Sequence, residues 1–124
     1  MSVSGAGGEA MAATYLAEAG YVILARNWRA GRAGELDIVA QKGGTLVIVE
    51  VKTATGERFG NPVAWVTQRK QRQLARLTQM FLAEHDGPFD AVRFDVIAVN
   101  ARKHPPTLEH LVDAFRPDKP QDFT

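Results

Sequence analysis

This sequence predicts an α/β fold in which a mixed sheet is flanked by helices, on three observations. A helical stretch rich in Ala and Leu opens the chain, two strand-like runs in its first half are apolar yet charged at their ends, and a long amphipathic stretch separates them from a later alternating run. The order helix, three strands, helix, then one or two strands (α-β-β-β-α-β) implies such a sheet.

Residues 1–8 are Gly- and Ser-rich and are expected to be loose, after which Glu9 to Ala19 reads as a helix with Gly20 as its C-terminal cap. At 3.6 residues per turn, Glu9, Ala12, Ala13 and Leu16 share the packing face. Tyr21 to Trp28 suits a first strand, and the glycines between Ala30 and Gly34 suit a turn. The second and third strands, Gly34–Ala40 and Leu46–Lys52, are separated by Gln41-Lys42-Gly43-Gly44, a loop that favours an antiparallel hairpin. From Pro62 to about His85 the pattern is helical, and Val66, Lys70, Leu74, Leu77 and Phe81 fall in one stripe about 80° wide. Gly87-Pro88 ends that helix. Val92 to Asn100 alternates as a strand, Thr107 to Ala114 reads as another near an edge, and residues 116–124 are expected to be loosely ordered.

A chain of 124 residues fits one domain, spanning 1–124, with 45% hydrophobic and 23% charged residues. The formal charge of +1 neither demands nor excludes a polyanion, but cations cluster at Arg26, Arg29 and Arg32 and again at Arg69, Lys70, Arg72 and Arg76. The absence of cysteine excludes disulfides, thiolate-bound zinc and a cysteine nucleophile, and mildly favours a reducing compartment. Met1 to Gly8 lacks the pattern of a secretory signal, and no apolar run approaches the ~20 residues that span a bilayer. A soluble, cytoplasmic protein without a membrane partner is expected.

Charges inside otherwise buried strands are the main functional signal, since desolvating an ion costs several kcal/mol unless it is paired or binds a metal. On the third strand Leu46, Ile48, Glu50 and Lys52 share one face and Val47, Val49 and Val51 the other, so an acid and a cation lie at the rim of the core. On the second, Glu35 and Asp37 share a face, with Leu36 and Ile38 on the other. Across a hairpin, facing residues approach to about 5 Å, so Asp37 and Glu50 can converge. At neutral pH two such carboxylates share a proton or bind a divalent cation. Magnesium suits few carboxylates and fills its remaining positions with water and substrate phosphates. The alternative is an ordinary Glu50–Lys52 pair at a strand end with Asp37 exposed.

At these residues the chain resembles the restriction endonuclease-like nucleases, whose motif of Asp, a gap, then Asp or Glu, any residue and Lys is met by Asp37 and Glu50-Val51-Lys52. More closely it resembles the small bacterial YraN family, related to archaeal Holliday junction resolvases. The matching segments are Gly8-Glu9, Tyr15-Leu16, Gly20-Tyr21, Arg26-Asn27, Gly34-Glu35-Leu36-Asp37, Val49-Glu50-Val51-Lys52-Thr53, Gly60-Asn61-Pro62, Lys70 and Arg93-Phe94-Asp95-Val96, covering about residues 7–115. Leu36 stands where many superfamily members have proline, and Ala54 where YraN-like chains often have a basic residue.

The resemblance implies a restriction endonuclease-like core, with Asp37, Glu50 and Lys52 catalytic and Glu9 joining Asp37 and Glu50 around Mg²⁺, for which Mn²⁺ can substitute. It implies a metal-dependent endonuclease acting on DNA, including branched or damaged DNA, and by analogy with resolvases a homodimer. The alternative is a DNA-binding or repair-accessory module that keeps the fold without cutting. Lys70, Arg69, Arg72, Arg29 and Arg32 are the candidate nucleic-acid contacts; a solvated helix face is the other reading of the α-helical arginines. Glu35 is either a supporting carboxylate or an Arg partner, Asp95 a structural pair for Arg93 or a core neighbour, and His85, His104 and His110 are expected at the surface.

Overall fold

The run Thr45–Ala54 is apolar on both faces because it is the central strand of a five-stranded sheet. The computed structural model describes residues 5–54 and 61–117 of the chain. In order, the elements are α1 (Gly5–Glu18), β1 (Val22–Arg29), β2 (Glu35–Lys42), β3 (Thr45–Ala54), α2 (Gln68–Glu84), β4 (Ala91–Asn100) and β5 (Thr107–Phe115). Short 3-10 turns lie at Gly31–Ala33 and Pro62–Trp65. The strands are ordered in space as in the chain. β1, β2 and β3 pair antiparallel, β3 and β4 pair parallel, and β5 returns antiparallel to β4. A parallel neighbour requires a crossover, and the segment carrying α2 makes it. The result is the mixed sheet flanked by helices that the element order predicts, consistent with a restriction endonuclease-like core.

Each sheet face carries one helix and one apolar cluster. Ala12, Ala13 and Leu16 of α1 pack on Ile38, Ala40, Val47, Val49, Ile97 and Val99. On the other face Leu74, Leu77 and Phe81 of α2 pack on Leu36, Val39, Leu46, Ile48, Phe94 and Val96. Burying each Leu, Ile or Phe contributes about 1.5–3 kcal/mol, so the two clusters fix both helices against the sheet. The hairpin closes through Gly43-Gly44, where Gly43 has a φ of 58°, and Gly20 ends α1 at a φ of 94° while Tyr21 N–H donates to Leu16 O at 2.9 Å.

Several expectations are corrected. Residues 5–8, expected to be loose, belong to α1, because docking of the helix onto β3 outweighs the weak helix preference of glycine. The helix predicted from Pro62 to His85 is two pieces. Pro62–Trp65 forms a 3-10 turn, Val66 is extended, and the Thr67 hydroxyl accepts from Lys70 N–H at 3.1 Å, capping a new helix. Leu36 and Ile38 were expected on one face, yet Leu36 packs under α2 and Ile38 under α1. The expectations for residues 1–4, for Gly60 and for residues 118–124 lie outside the described residues.

Candidate metal centre

The site begins where β2 leaves β3. Their ladder runs from Lys42↔Thr45 to Ile38↔Val49 and stops, while β3 continues alongside β4 as far as Ala54↔Asn100. Asp37 takes the place of the missing rung: Val51 N–H donates to its Oδ2 at 2.9 Å. The carboxylate is thereby wedged between the parting strands. Gly34, with a φ of 128°, sets up this entry to β2. A Cβ there would lie 2.5 Å from Gln73 Nε2, which donates to Ala33 O at 3.0 Å, so only glycine lets α2 hold the turn this closely.

Glu9 reaches the same place from α1. Carboxylate oxygens of Glu9, Glu35 and Asp37 all lie within 4.8 Å of one another. Gly8 makes this possible, since a Cβ on it would collide with the Thr53 hydroxyl on β3. Between the acids lies Asn27, whose side-chain amide donates to Glu9 Oε1 at 2.7 Å and to Glu35 Oε2 at 3.0 Å. Arg29 pairs with Glu35 Oε1 at 3.0 Å. Glu35 is therefore both a member of the carboxylate cluster and an arginine partner.

Glu50 approaches from the α2 side of the sheet. It is 4% exposed, and its Oε2 lies 3.5 Å from Lys52 Nζ and 3.8 Å from Lys70 Nζ. The sequence grouped Glu9, Asp37 and Glu50 as one ligand set; in the structure the converging trio is Glu9, Glu35 and Asp37, with Glu50 adjoining Asp37 and engaged by two lysines. Burial and the Glu50 charge push the Asp37 carboxyl up to about 6, against the opposing pull of the Val51 N–H and Lys70. Glu9 is also raised, first by burial and then by the charges of Asp37 and Glu35, while its bond from Asn27 works the other way. The converging donors are all carboxylate oxygens, the hard ligands that Mg²⁺ and Mn²⁺ take, so the cluster is one that can hold a metal ion.

A groove of about 590 Å³ adjoins it, lined by Arg32, Arg69, Lys70, Arg72 and Arg76 together with Ala33, Thr67 and Gln73. Lys70 belongs to both, lining the groove while its ammonium faces Glu50. Of the candidate nucleic-acid contacts, Arg32, Arg69, Lys70 and Arg72 are thus together, and Arg29 is instead beside Glu35.

A second charged centre lies elsewhere in the sheet. Asp95 on β4 is fully buried and accepts from Arg93 Nε at 2.9 Å, Arg93 Nη2 at 2.8 Å and Asp113 N–H at 2.9 Å, with His110 Nε2 at 2.7 Å. Burial opposes ionisation, yet the bonds from His110 and Arg93 hold Asp95 below the usual carboxylate range. His110, expected at the surface, is a correction: its side chain is 7% exposed, and its Nδ1 lies 2.9 Å from the Tyr15 hydroxyl. His85 and His104 are exposed, with His85 stacked on Phe81. Sequence reasoning also gave Asn27 no role, although an Asn inside an apolar strand was a signal that the backbone there is irregular.

The fold and site define a small α/β protein with a restriction endonuclease-like sheet and a carboxylate cluster where two strands part. The chain belongs to the family described as Uncharacterised protein family UPF0102, whose model matches residues 8–99. It is 46% identical over 112 residues to a UPF0102 protein of Nocardia farcinica, covering 90% of this chain and 87% of that one. A UPF0102 protein of Acidothermus cellulolyticus is 47% identical over 119 residues, covering 87% and 89%. Another, from Symbiobacterium thermophilum, is 50% identical over 95 residues, covering 77% and 80%. The match includes Glu9, Asn27, Glu35, Asp37, Glu50, Lys52 and Lys70 within its bounds. No helix among the described residues is long and apolar enough to cross a membrane.

Proposed function

We propose that this protein is a divalent-cation-dependent endonuclease of cytoplasmic DNA, cutting phosphodiesters in branched or damaged substrates, with a homodimer as its working form. The observation that carries the reading is the convergence of Glu9, Glu35 and Asp37 beside the buried Glu50 and its two lysines. Glu9, Glu35 and Asp37 would hold Mg²⁺ or Mn²⁺, with Glu50 beside them. The bound ion supplies Lewis-acid polarisation of a phosphoryl oxygen and an acidified water.

The chain's own residues do the rest. Lys52, kept near the site by Glu50, offers its ammonium to the charge that develops on the attacked phosphate. Lys70 orients the phosphate as it leaves the basic groove. Arg69, Arg72 and Arg76 recur along one side of α2, and Arg32 joins them from the turn between β1 and β2. The first turn of α2 contains no acid, although an acid there would suit the helix dipole, and it carries Arg69 and Lys70 instead. Cations placed against the dipole accord with a surface kept for a polyanion, and an absence of cysteine accords with a reducing compartment.

Incubating linear, nicked and four-way-junction DNA with Mg²⁺ or Mn²⁺ tests this reading, with Asp37→Ala and Lys52→Ala as controls. Metal-dependent cleavage abolished in both variants is expected. Binding without cleavage of any substrate would replace catalysis with an accessory DNA-binding role, and absence of binding at low salt would remove both.

A further inference from the structure

Asn27 sits in the middle of β1 with a φ of 51°. That left-handed conformation is rare inside strands, and Asn adopts it more readily than most residues with a Cβ. Asn is also disfavoured in strands generally. A left-handed residue inside a strand is an unfavourable choice that a compensating contact offsets, and the side chain makes such contacts. The pairs Arg26↔Ile38 and Trp28↔Leu36 put Asn27 opposite Asp37. From there both of its bonds go to carboxylates on different elements, Glu9 of α1 and Glu35 of β2.

We propose that Asn27 is the positioning residue of the metal centre, its amide tying Glu9 to Glu35 so that with Asp37 they present a preformed set of oxygens to a divalent cation. The inference rests on reading the site as a metal centre. A side-chain amide has two N–H donors, and each is spent on a different acid. A carboxylate oxygen has two lone pairs, so one that accepts from Asn27 keeps another for a cation. Without the amide, two flexible glutamate side chains beside Asp37 repel one another, and the cation must reorder them on binding. The left-handed backbone aims the amide at both of them.

Asn27→Gly isolates the effect, because glycine adopts this backbone freely and lacks the amide. Mn²⁺ affinity of the full chain is measured by titration calorimetry, alongside the thermal midpoint. The expected result is a folded variant, shown by a single cooperative thermal transition, whose Mn²⁺ binding is weakened about tenfold or more, the usual consequence of losing a group that orients metal ligands. Binding within about twofold of the wild type would overturn the role. A wild-type chain that takes up no Mn²⁺ would overturn the metal centre, and this role with it. Should the variant not fold, the wild type still decides: the Asn27 side-chain amide resonances must move on Mg²⁺ titration, and resonances that stay fixed overturn the proposal.

Discussion

The sheet contains two charged centres built on opposite terms. Around Asp95, one buried carboxylate is surrounded by Arg93, His110 and a backbone N–H, and is held in its ionised form. At the other centre Glu9, Glu35, Asp37 and Glu50 meet Lys52, Lys70 and Arg29, and Glu9 and Asp37 are pushed toward protonation. Both centres include a residue with positive φ in an edge strand, Asp113 in β5 and Asn27 in β1. The first contributes β5 and α1 contacts to the fold, through the His110 link to Tyr15. The second costs stability in a cation-free chain, a cost that binding a divalent cation would offset.

The comparison breaks most visibly at Asp95. Asp95→Ala leaves Arg93 and His110 facing an empty position, and the expected loss is about 3–5 kcal/mol in urea unfolding. Because its folded pKa lies below the unfolded value, its contribution is present above pH 4 or so and fades as pH falls through the folded value. A change of less than about 1 kcal/mol would mean that the buried ion is not what holds β5.

Asp37→Asn is expected to move the other way. The folded carboxyl titrates at about 6 against an ordinary value of 3.8, so its stabilising contribution is complete below the ordinary value and is lost as pH rises to about 6. In chelator-treated buffer at pH 7 the Asn variant is expected to be more stable than wild type by about 3 kcal/mol, with the gap closing near pH 4. Urea unfolding across that pH range checks it. A variant less stable at pH 7 would show that Asp37 belongs with Asp95 as a structural ion.

The smallest expected effect concerns how α1 brings Glu9 to the site. Gly8→Ala places a methyl against the Thr53 hydroxyl, and the expected net cost is about 1 kcal/mol, clash outweighing the gain in helix preference. Adding Thr53→Ala is expected to restore stability. Equal effects in the single and double variants would show that Gly8 is not a contact point.

The same contrast marks what the sequence could reveal. Apolar runs on both faces of β3, the stripe of Leu74, Leu77 and Phe81, and the Gly43-Gly44 hairpin follow from local periodicity, which regular elements preserve. Asp37 and Glu9 were legible as charges pointing into packed faces. Alternation already put Glu35 on the face of Asp37, but left open whether it would support the cluster or pair with an arginine, and it does both. The exchange of faces between Leu36 and Ile38, at the point facing the left-handed Asn27, was not legible, because alternation assumes a uniform strand. His110 was invisible for a different reason: its partners lie 15 and 95 residues away in the chain. Val66 and Thr67 interrupt the predicted helix because a capping hydroxyl stops it, although the apolar spacing runs on through Val66.

The most direct test is urea unfolding of wild type and Asp37→Asn at pH 7 as Mg²⁺ is raised. The wild type is expected to gain stability steadily, by about 2.7 kcal/mol at a Mg²⁺ concentration one hundred times its dissociation constant, while the Asn variant starts higher and responds little. A wild-type stability that ignores Mg²⁺, or a variant that responds equally, would contradict a metal centre at Asp37.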